Sequence, residues 1–581
     1  MSATEITKLP PLEYHDRTKH NFGRYAASLG YMDWATQPNP YRRFPGAPVH
    51  SLPLPPAGST HFPDHHLPYH DMYELSAPSA QCDQSFISRL LYYSMALAAW
   101  KQSGQSAWSL RVNPSSGNLH PTEAYIIAGP LRGLSDSPGV YHYAPALHAL
   151  EQRAKIPTEV WEGLTKQRVG KDVLLIGLSS IFWREAWKYG ERAYRYCNHD
   201  TGHALAAIRL AASMLGWRLV ALTDLSDDDV SNVLGLNRDQ EFFKEEREEP
   251  DLLAVLYPST STRPSLDISR FGQEVAHSAQ WSGHANRLSE KRHEWEVIDQ
   301  VAAACVKPST PGLSDKALSG LGGGATELWK PPPGTHIGMH TQLTAQQIVR
   351  QRRSVWEMDG TKNIAKETFV SILSRTMPDP SSAPWDAQSW PILIPCLAMF
   401  VHRVDDVPSG MYVLVRDLSM LADLQRTMKP STFEFAWKAV PNHLNLPLYA
   451  LSLPDVKMVA KRVSCNQDIA GDGAFSLGMI ANFEKSLSTL GPHAYRWMFW
   501  EAGMIGQVLY LEAEASGLRG TGIGCYFDDP VHQMFGISDH SLQSMYHFTI
   551  GGAVEDRRLR TFAGYGDAPV LDRWSEDSAD L

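Results

Sequence analysis

Residues 194–236 lie over residues 495–537 at a constant separation of 301, without a gap. Tyr194 then meets Tyr495, Arg195 meets Arg496, Gly202 meets Gly503 and Leu210 meets Leu511. Gly216 meets Gly517, Arg218 meets Arg519, Val230 meets Val531 and Gly235 meets Gly536. The pair Asp227-Asp228 falls on Asp528-Asp529. A self-match of this length dictates two copies of one fold in tandem. The length agrees, because 581 residues exceed what one hydrophobic core organises. Residues 306–340 are rich in Gly, Pro and Ser and form the expected linker. The expected domains are therefore 1–305, which includes an N-terminal extension, and 341–581.

Each copy repeats one local order. A long helix is expected from about Asp200 to Leu215 and from about Glu501 to Ser516, ended by Gly216 or Gly517 as the residue after the cap. The small residues on these helices suit a close helix–helix contact. A strand follows, then an Asp-Asp N-cap and a short helix. Upstream lie strand pairs around Tyr141 and Tyr412. Helices and strands that do not alternate as βαβ units indicate an α+β fold.

Charge and composition exclude several roles. The formal net charge of -10 argues against nucleic acid or an anionic membrane as partner. There is no run of about 18 apolar residues and no signal-like N-terminus. The six cysteines are scattered without a CxxC pair, which fits a reducing cytoplasm and gives no zinc signal. The histidines of HFPDHHLPYHD (His61, His65, His66, His70) match no ligand spacing, so no metal site is expected. Cys465 has no partner base legible in sequence and reads as a buried packing residue.

Four segments carry chemistry. The stretch RVNPSSGNLHPTEAYII (111–127) crowds small polar groups before a strand, as a plain turn or as a cradle for a polar ligand. Copy two has only PSSAPW (380–385) at the comparable place. RQRRSVWEMDG (350–360) offers guanidinium forks and a hydroxyl that match phosphate oxygens, or else a solvated basic turn. GLRGTGIGCYFDD carries Gly520, Gly522 and Gly524 where copy one has the glycine-free LVALT, which marks either a bulge or close backbone approach by a ligand. GGAVEDRRLRT supplies Arg557, Arg558 and Arg560, or is a surface tail.

Taken in order, these segments resemble the nitroreductase superfamily, and more closely its SagB/ThcOx-type dehydrogenases. YHDRTKHNFGRYAASLGYMDWATQPNPYRRFPGAP, NPSSGNLHPTEAY, WKYGERAYRY, RRS, GTGIG and HFTIGGAVEDRRL carry the resemblance. It implies FMN, bound non-covalently between two nitroreductase-like copies that here pair within one chain, with further oligomerisation open. It implies Arg352, Arg353 and Ser354 at the phosphate, Arg353 being the weaker of the arginines, with Arg558 and Arg560 closing over them. Thr521, Gly522, Ile523 and Gly524 would present backbone to the ring. Pro114, Ser115, Ser116, Gly117 and Asn118 would cross from copy one, with Ser115, Ser116 and Asn118 facing the ring. Lys188 and Tyr189 would handle protons. Trp356 stands where relatives often carry a basic residue, which leaves the countercharge of a reduced flavin unassigned. Copy one has YRRF (41–44) without the serine, and copy two lacks Gly-Asn, so one FMN per chain is expected. The implied activity is oxidation of a peptide-derived or small heterocyclic substrate. An NAD(P)H-dependent nitro or quinone reductase and a flavin-free scaffold subunit of a modification complex stay open.

Overall fold

The computed structural model describes residues 7–56, 58–59, 61–63, 66–164, 172–310 and 327–566. Linker residues 311–326 and His65 lie outside the described residues.

The first repeat holds strands β1 (Val49–Ser51), β2 (Leu97–Ser103), β3 (Ser106–Arg111), β4 (Thr122–Ala128), β5 (Gly139–Ala144), β6 (Ala149–Lys155), β7 (Leu174–Ser180), β8 (Trp217–Ala221), β9 (Glu249–Pro258) and β10 (Gln280–Trp281). The second holds β11 (Cys396–Val401), β12 (Gly410–Val415), β13 (Lys438–Ala439), β14 (Leu448–Ser452), β15 (Phe475–Asn482), β16 (Arg519–Ile523), β17 (Leu542–Gly551) and β18 (Arg560–Ala563). The first large sheet runs β1-β6-β5-β4-β7-β9-β8, with β10 also on β6. The second runs β13-β14-β12-β11-β15-β17-β16. Without the short edge strands the two orders are the same, and every pairing is antiparallel. The inner strands are covered on both faces, which is why β4 and β15 read as buried runs with little polar alternation. The α+β class and the tandem repeat are both present.

The strand pair expected around Tyr141 is β5 and β6. Around Tyr412 only β12 follows that pattern. The next residues, Leu421–Thr427, form a helix, and the partner strand β14 comes later.

The central helices, Ala193–Met214 and Ala494–Ala515, have 22 residues each and are buried along their whole length. They keep the separation of 301 and begin about two turns before the expected starts. Those first turns carry Arg195 and Arg496, which are buried there in ion pairs rather than solvated. Gly216 and Gly517 end the helices in the left-handed region, at φ of 70° and 68°.

The helices touch through glycine. A Cβ on Gly202 would stand 2.1 Å from the Trp500 carbonyl oxygen, and one on Gly503 would stand 2.2 Å from that of His199. His199 and Trp500 are themselves equivalent positions, so an approximate twofold axis passes between the helices. Two ion pairs obey it, Arg195–Asp528 and Arg496–Asp227, both at 2.8 Å.

These ion pairs correct the capping expectation. Ser226, not an aspartate, caps the helix Asp227–Leu234, in a capping box with Asp229. Phe527 occupies the same place before Asp528–Met534, without a side-chain cap. Asp227 and Asp528 turn across the repeat boundary instead.

The chain ends are exchanged. Lys19 pairs with Asp529 at 3.1 Å, and the His20 N–H donates to Asp528 at 2.9 Å. At the other end β18 joins the small sheet β18-β2-β3 of the first repeat. The Tyr565 hydroxyl accepts from the Leu97 N–H and donates to the Pro145 carbonyl.

Candidate functional site

A cavity of about 450 Å³ lies between the repeats, a volume typical of small-molecule sites. The first repeat lines it with the loop Asn113–Asn118, Tyr189, and Tyr196, Asp200 and His203 of its central helix. The second contributes Arg352, Arg353, Ser354, Tyr510, Thr521, Gly522, Ile523, Gly524, Cys525 and Tyr546.

The loop at 114–118 folds through its own polar groups. Ser115 Oγ accepts the His120 N–H at 2.8 Å. Ser116 donates to the Asp200 carboxylate from both N–H and Oγ, each at 3.1 Å to Oδ1. The Asn118 amide donates to the Ser109 carbonyl at 2.8 Å, and its Oδ1 meets His120 Nε2 at 2.9 Å. These side chains hold the loop on its own central helix, so Asn118 is engaged within its repeat rather than reaching across. Gly117, at φ 60°, is the exposed tip. A Cβ there would lie 2.8 Å from Tyr189 Oη and 3.1 Å from Lys188 Nζ. The loop and the Lys188–Tyr189 pair therefore meet at a position that favours glycine on two counts.

The arginine segment follows the helix Ala345–Gln351. Arg352 is buried, donates to the Val112 carbonyl at 2.9 Å and lies over the Tyr510 ring. Its Nε is buried without a partner among the described residues. Arg353 donates to the carbonyls of Arg350, Arg352 and Ala98. Burial, with Arg352 and Arg350 beside it, lowers the Arg353 pKa to about 9. Burial likewise lowers that of Arg352. Crowded guanidinium groups of this kind accommodate an anion. Ser354 Oγ donates to Tyr510 Oη at 2.9 Å.

The glycine strand is regular. β16 pairs with β17 from Arg519 to Ile523 without a register shift, which excludes the bulge. What its glycines admit is tyrosine. A Cβ on Gly522 would lie 1.9 Å from Tyr546 Oη, and one on Gly524 would lie 1.9 Å from the Tyr196 ring. The Gly522 N–H donates to Tyr510 Oη at 2.9 Å, and the Val355 N–H donates to Thr521 Oγ1 at 3.1 Å.

Two expected residues stand outside the lining of this cavity. Arg558 is exposed and forked onto Asp556, in an adjoining surface groove that Arg353, Ser354 and Trp356 also line. Arg560 sits exposed on β18 opposite Gln102. The pairing of β18 with β2 lays this segment along the first repeat. Trp356 is 71% exposed. Cys465 is not a packing residue either, since it is half-buried with its sulfur 2.7 Å from that of Cys525.

The Nitroreductase family profile matches residues 95–243 and 349–552, more than half of the chain. The chain belongs to the nitroreductase family. Residues of this chain are 24% identical over 135 positions to MJ1384 of Methanocaldococcus jannaschii, covering 21% of this chain and 62% of that protein. They are 27% identical over 134 positions to the microcin B17-processing protein McbC of Escherichia coli, covering 22% of this chain and 49% of McbC. The chain thus spans about half to three fifths of these relatives' lengths. A crystal structure of an Anabaena variabilis nitroreductase-like protein superposes with a TM-score of 0.64 at 20% identity, covering 94% of this chain and 99% of that one. That likeness establishes the fold of the whole tandem.

Within this nitroreductase fold, sequence reasoning missed Tyr196, Asp200, His203, Tyr510 and Tyr546. The first three recur at helical spacing on one face of an otherwise Ala-rich helix, and that spacing was the available signal. Burial lowers the His203 pKa to about 3 and keeps the ring neutral. Burial raises Asp200 to about 7 against the opposing pull of the Ser115 and Ser116 hydrogen bonds. Burial lowers Lys188, partly offset by Glu185, and raises Tyr189 well above its ordinary value. No cluster of three metal-ligating side chains occurs among the described residues, and none of the described helices is long and apolar enough to cross a membrane.

The equivalent place of the other nitroreductase repeat is occupied by protein. Arg209 stands where the second repeat has Tyr510, and it forks onto Asp386 at 2.7 Å twice. Arg218, equivalent to Arg519, joins the same carboxylate at 3.2 Å. Glu501, equivalent to Asp200, is taken by Arg416 and the Leu393 N–H. Arg42 of YRRF is spent on Glu248 and on the carbonyls of Glu246 and Asn286.

Proposed function

We propose that this chain is an FMN-dependent oxidoreductase, a SagB-type dehydrogenase that oxidises a peptide-derived or small heterocyclic substrate. The observation that carries the reading is the cavity that joins the 114–118 loop and Tyr189 of one repeat, with Lys188 beside Gly117, to the arginines and glycine strand of the other.

The residues fit FMN. The partnerless Nε of Arg352 and the depressed pKa of Arg353 suit a phosphate, with Ser354 beside them. The Tyr196 and Tyr546 rings and the β16 backbone offer flat surfaces to an aromatic ring. Bound there, FMN would supply hydride acceptance or donation. Arg352, Arg353 and Ser354 bind and orient. Tyr196, Tyr510 and Tyr546 narrow the cavity against water. Lys188 Nζ and Tyr189 Oη, which meet beside Gly117, are placed to handle a proton. Arg558 stands in the adjoining groove that Arg353 and Ser354 also line, and Arg560 is exposed on β18.

The test is the spectrum of the purified protein. A flavin absorption band that is released as FMN on unfolding supports the reading, and its absence under FMN-saturating conditions favours the scaffold subunit. Bleaching by NAD(P)H would move the assignment to a nitro or quinone reductase.

A further inference from the structure

One wall of the cavity contains a feature that the flavin reading does not use. Cys525 follows directly on the glycine strand and lines the cavity. Its Sγ is 2.7 Å from that of Cys465, a short movement from a bonded pair at roughly 2.05 Å. The two residues come from separate segments. Cys465 sits in the turn between the helices Lys457–Val463 and Ile469–Asp472, and Cys465 and Asn466 both hold left-handed backbone, at φ of 54° and 59°. Side chains seldom adopt that conformation, and here it turns the Cys465 sulfur towards β16. The turn also sends Gln467 into the cavity wall, where its amide donates to the Cys525 carbonyl at 2.9 Å.

The two sulfurs are not equivalent. The Cys465 thiol facing Cys525, with His20 behind it, holds the Cys525 pKa below that of an ordinary thiol, against the pull of burial. The same sulfur–sulfur contact, then burial, pushes Cys465 up. Both are half-buried rather than sealed. By contrast Cys82, Cys305 and Cys396 are each pushed up to about 12, mainly by burial. A stabilised, reachable thiolate next to a second thiol is the arrangement of peroxide-reactive cysteines.

We propose that Cys525 and Cys465 form a peroxide-reactive pair, Cys525 attacking and Cys465 resolving, whose reversible disulfide ties the Gln467 turn to the end of β16 at the cavity wall. The Cys525 thiolate attacks one oxygen of hydrogen peroxide. An S–O bond forms, the O–O bond breaks, and the departing hydroxide takes a proton to become water. Cys465 sulfur then attacks Cys525 sulfur. The S–S bond forms, the S–O bond breaks, and the hydroxide leaves as water with the Cys465 proton. Two thiols and one peroxide give one disulfide and two waters, the sulfurs losing the two electrons that the peroxide gains. A dithiol reductant reverses the change by exchange.

The experiment uses the full chain, fully reduced and then exposed to hydrogen peroxide, followed by peptide mapping without reductant. The expected product is the cross-linked Cys465–Cys525 peptide, lost again on addition of dithiothreitol. Hydrogen exchange over residues 464–467 should slow in the oxidised form. In Cys465→Ser, Cys525 should accumulate a dimedone-trappable sulfenic acid. In Cys525→Ser, labelling of Cys465 should be slower than that of Cys525 in Cys465→Ser, because Cys465 does not line the cavity. A natively folded wild-type protein that yields no cross-linked peptide overturns the pair. Equal dimedone labelling of the two serine variants overturns the assignment of attacking and resolving sulfur.

Discussion

Arg195 and Asp528 are ion-paired at 2.8 Å across the boundary between the two repeats, with 1% and 0% of their side chains exposed. Arg192 reaches the other carboxylate oxygen at 3.0 Å. Asp528 therefore neutralises two buried guanidinium groups at once. Asp528→Asn keeps the shape and removes the charge, and the expected loss is about 3–5 kcal/mol of unfolding free energy, read by urea denaturation. The pH dependence has a definite sign. Burial would raise the Asp528 pKa, but Arg192 and Arg195 outweigh it and hold the carboxyl well below its usual value. Its contribution is then complete above the unfolded pKa of about 4 and fades as pH falls further. The gap between wild type and Asp528→Asn should accordingly narrow below about pH 4. A gap that does not change with pH would show that the charge is not what matters.

A second prediction sets two effects against each other. In a helix interior Gly→Ala is favoured by about 1 kcal/mol on propensity alone. At Gly202 the added Cβ would meet the Trp500 carbonyl oxygen at 2.1 Å, and at Gly503 that of His199 at 2.2 Å. Backbone cannot swing aside as a side chain can, so the repeats would have to separate. Packing should win, with Gly202→Ala and Gly503→Ala each losing about 1–3 kcal/mol net. Thermal melts of either variant at or above the wild-type midpoint would contradict the contact.

These glycines show how the sequence carries the fold. Their match at a separation of 301 was legible, and so were the Gly216 and Gly517 stops, because helix ends and close contacts demand glycine whatever surrounds them. The role of Asp227 and Asp528 was not legible. Aspartate before a helix reads as a cap, and only the fold brings Arg496 and Arg195 within reach. In the cavity, the loop at 114–118 and the arginines stood out because small polar and basic residues clustered along the chain. Tyr510 and Tyr546 were hidden by distance in sequence, whereas Tyr196 shares the helical spacing of Asp200 and His203. Arg558 and Arg560 stood out as basic residues close to the GG turn, but the fork of Arg558 onto Asp556 and the place of Arg560 on β18 depend on the fold.

Asp200 gives a third prediction. Burial raises its pKa to about 7. A carboxyl raised on folding favours the folded state below its unfolded pKa of about 4, and that advantage is lost as pH rises through 7. Asp200→Asn removes the cost of the buried charge while leaving an acceptor for Ser116. Relative to wild type, the variant should therefore melt higher at pH 8 than it does at pH 5. Identical differences at the two pH values would mean that Asp200 is already neutral, or already solvated, across the range.

The fourth prediction concerns the Lys188–Tyr189 pair. Gly117 leaves room for Tyr189 Oη and Lys188 Nζ, so Gly117→Ala should displace both without touching the arginine end. FMN content should stay near the wild-type level while turnover falls as it does in Lys188→Ala. A general base is typically worth about 10²–10⁴-fold. Full turnover in Lys188→Ala with flavin retained would remove the proton-handling role.

The last prediction is stoichiometric. Tyr510 and Arg209 occupy equivalent positions, yet one hydrogen-bonds Ser354 and Gly522 beside the cavity while the other is forked onto Asp386. Arg218 reinforces that fork. A phosphate or a flavin ring entering the first repeat's place would have to break a buried ion pair, so the chain should hold one FMN, not two. Counting flavin released by gentle unfolding against protein by mass should give a ratio near one. Arg352→Ala should weaken that single site by about 10–150-fold, the range for hydrogen bonds to a charged group, as read by titration of flavin fluorescence. Asp386→Ala should leave the ratio at one, because Arg209 is not Tyr510 and the glycine strand is still missing from β8. Two tightly held flavins in the wild-type chain would overturn the asymmetry between the repeats.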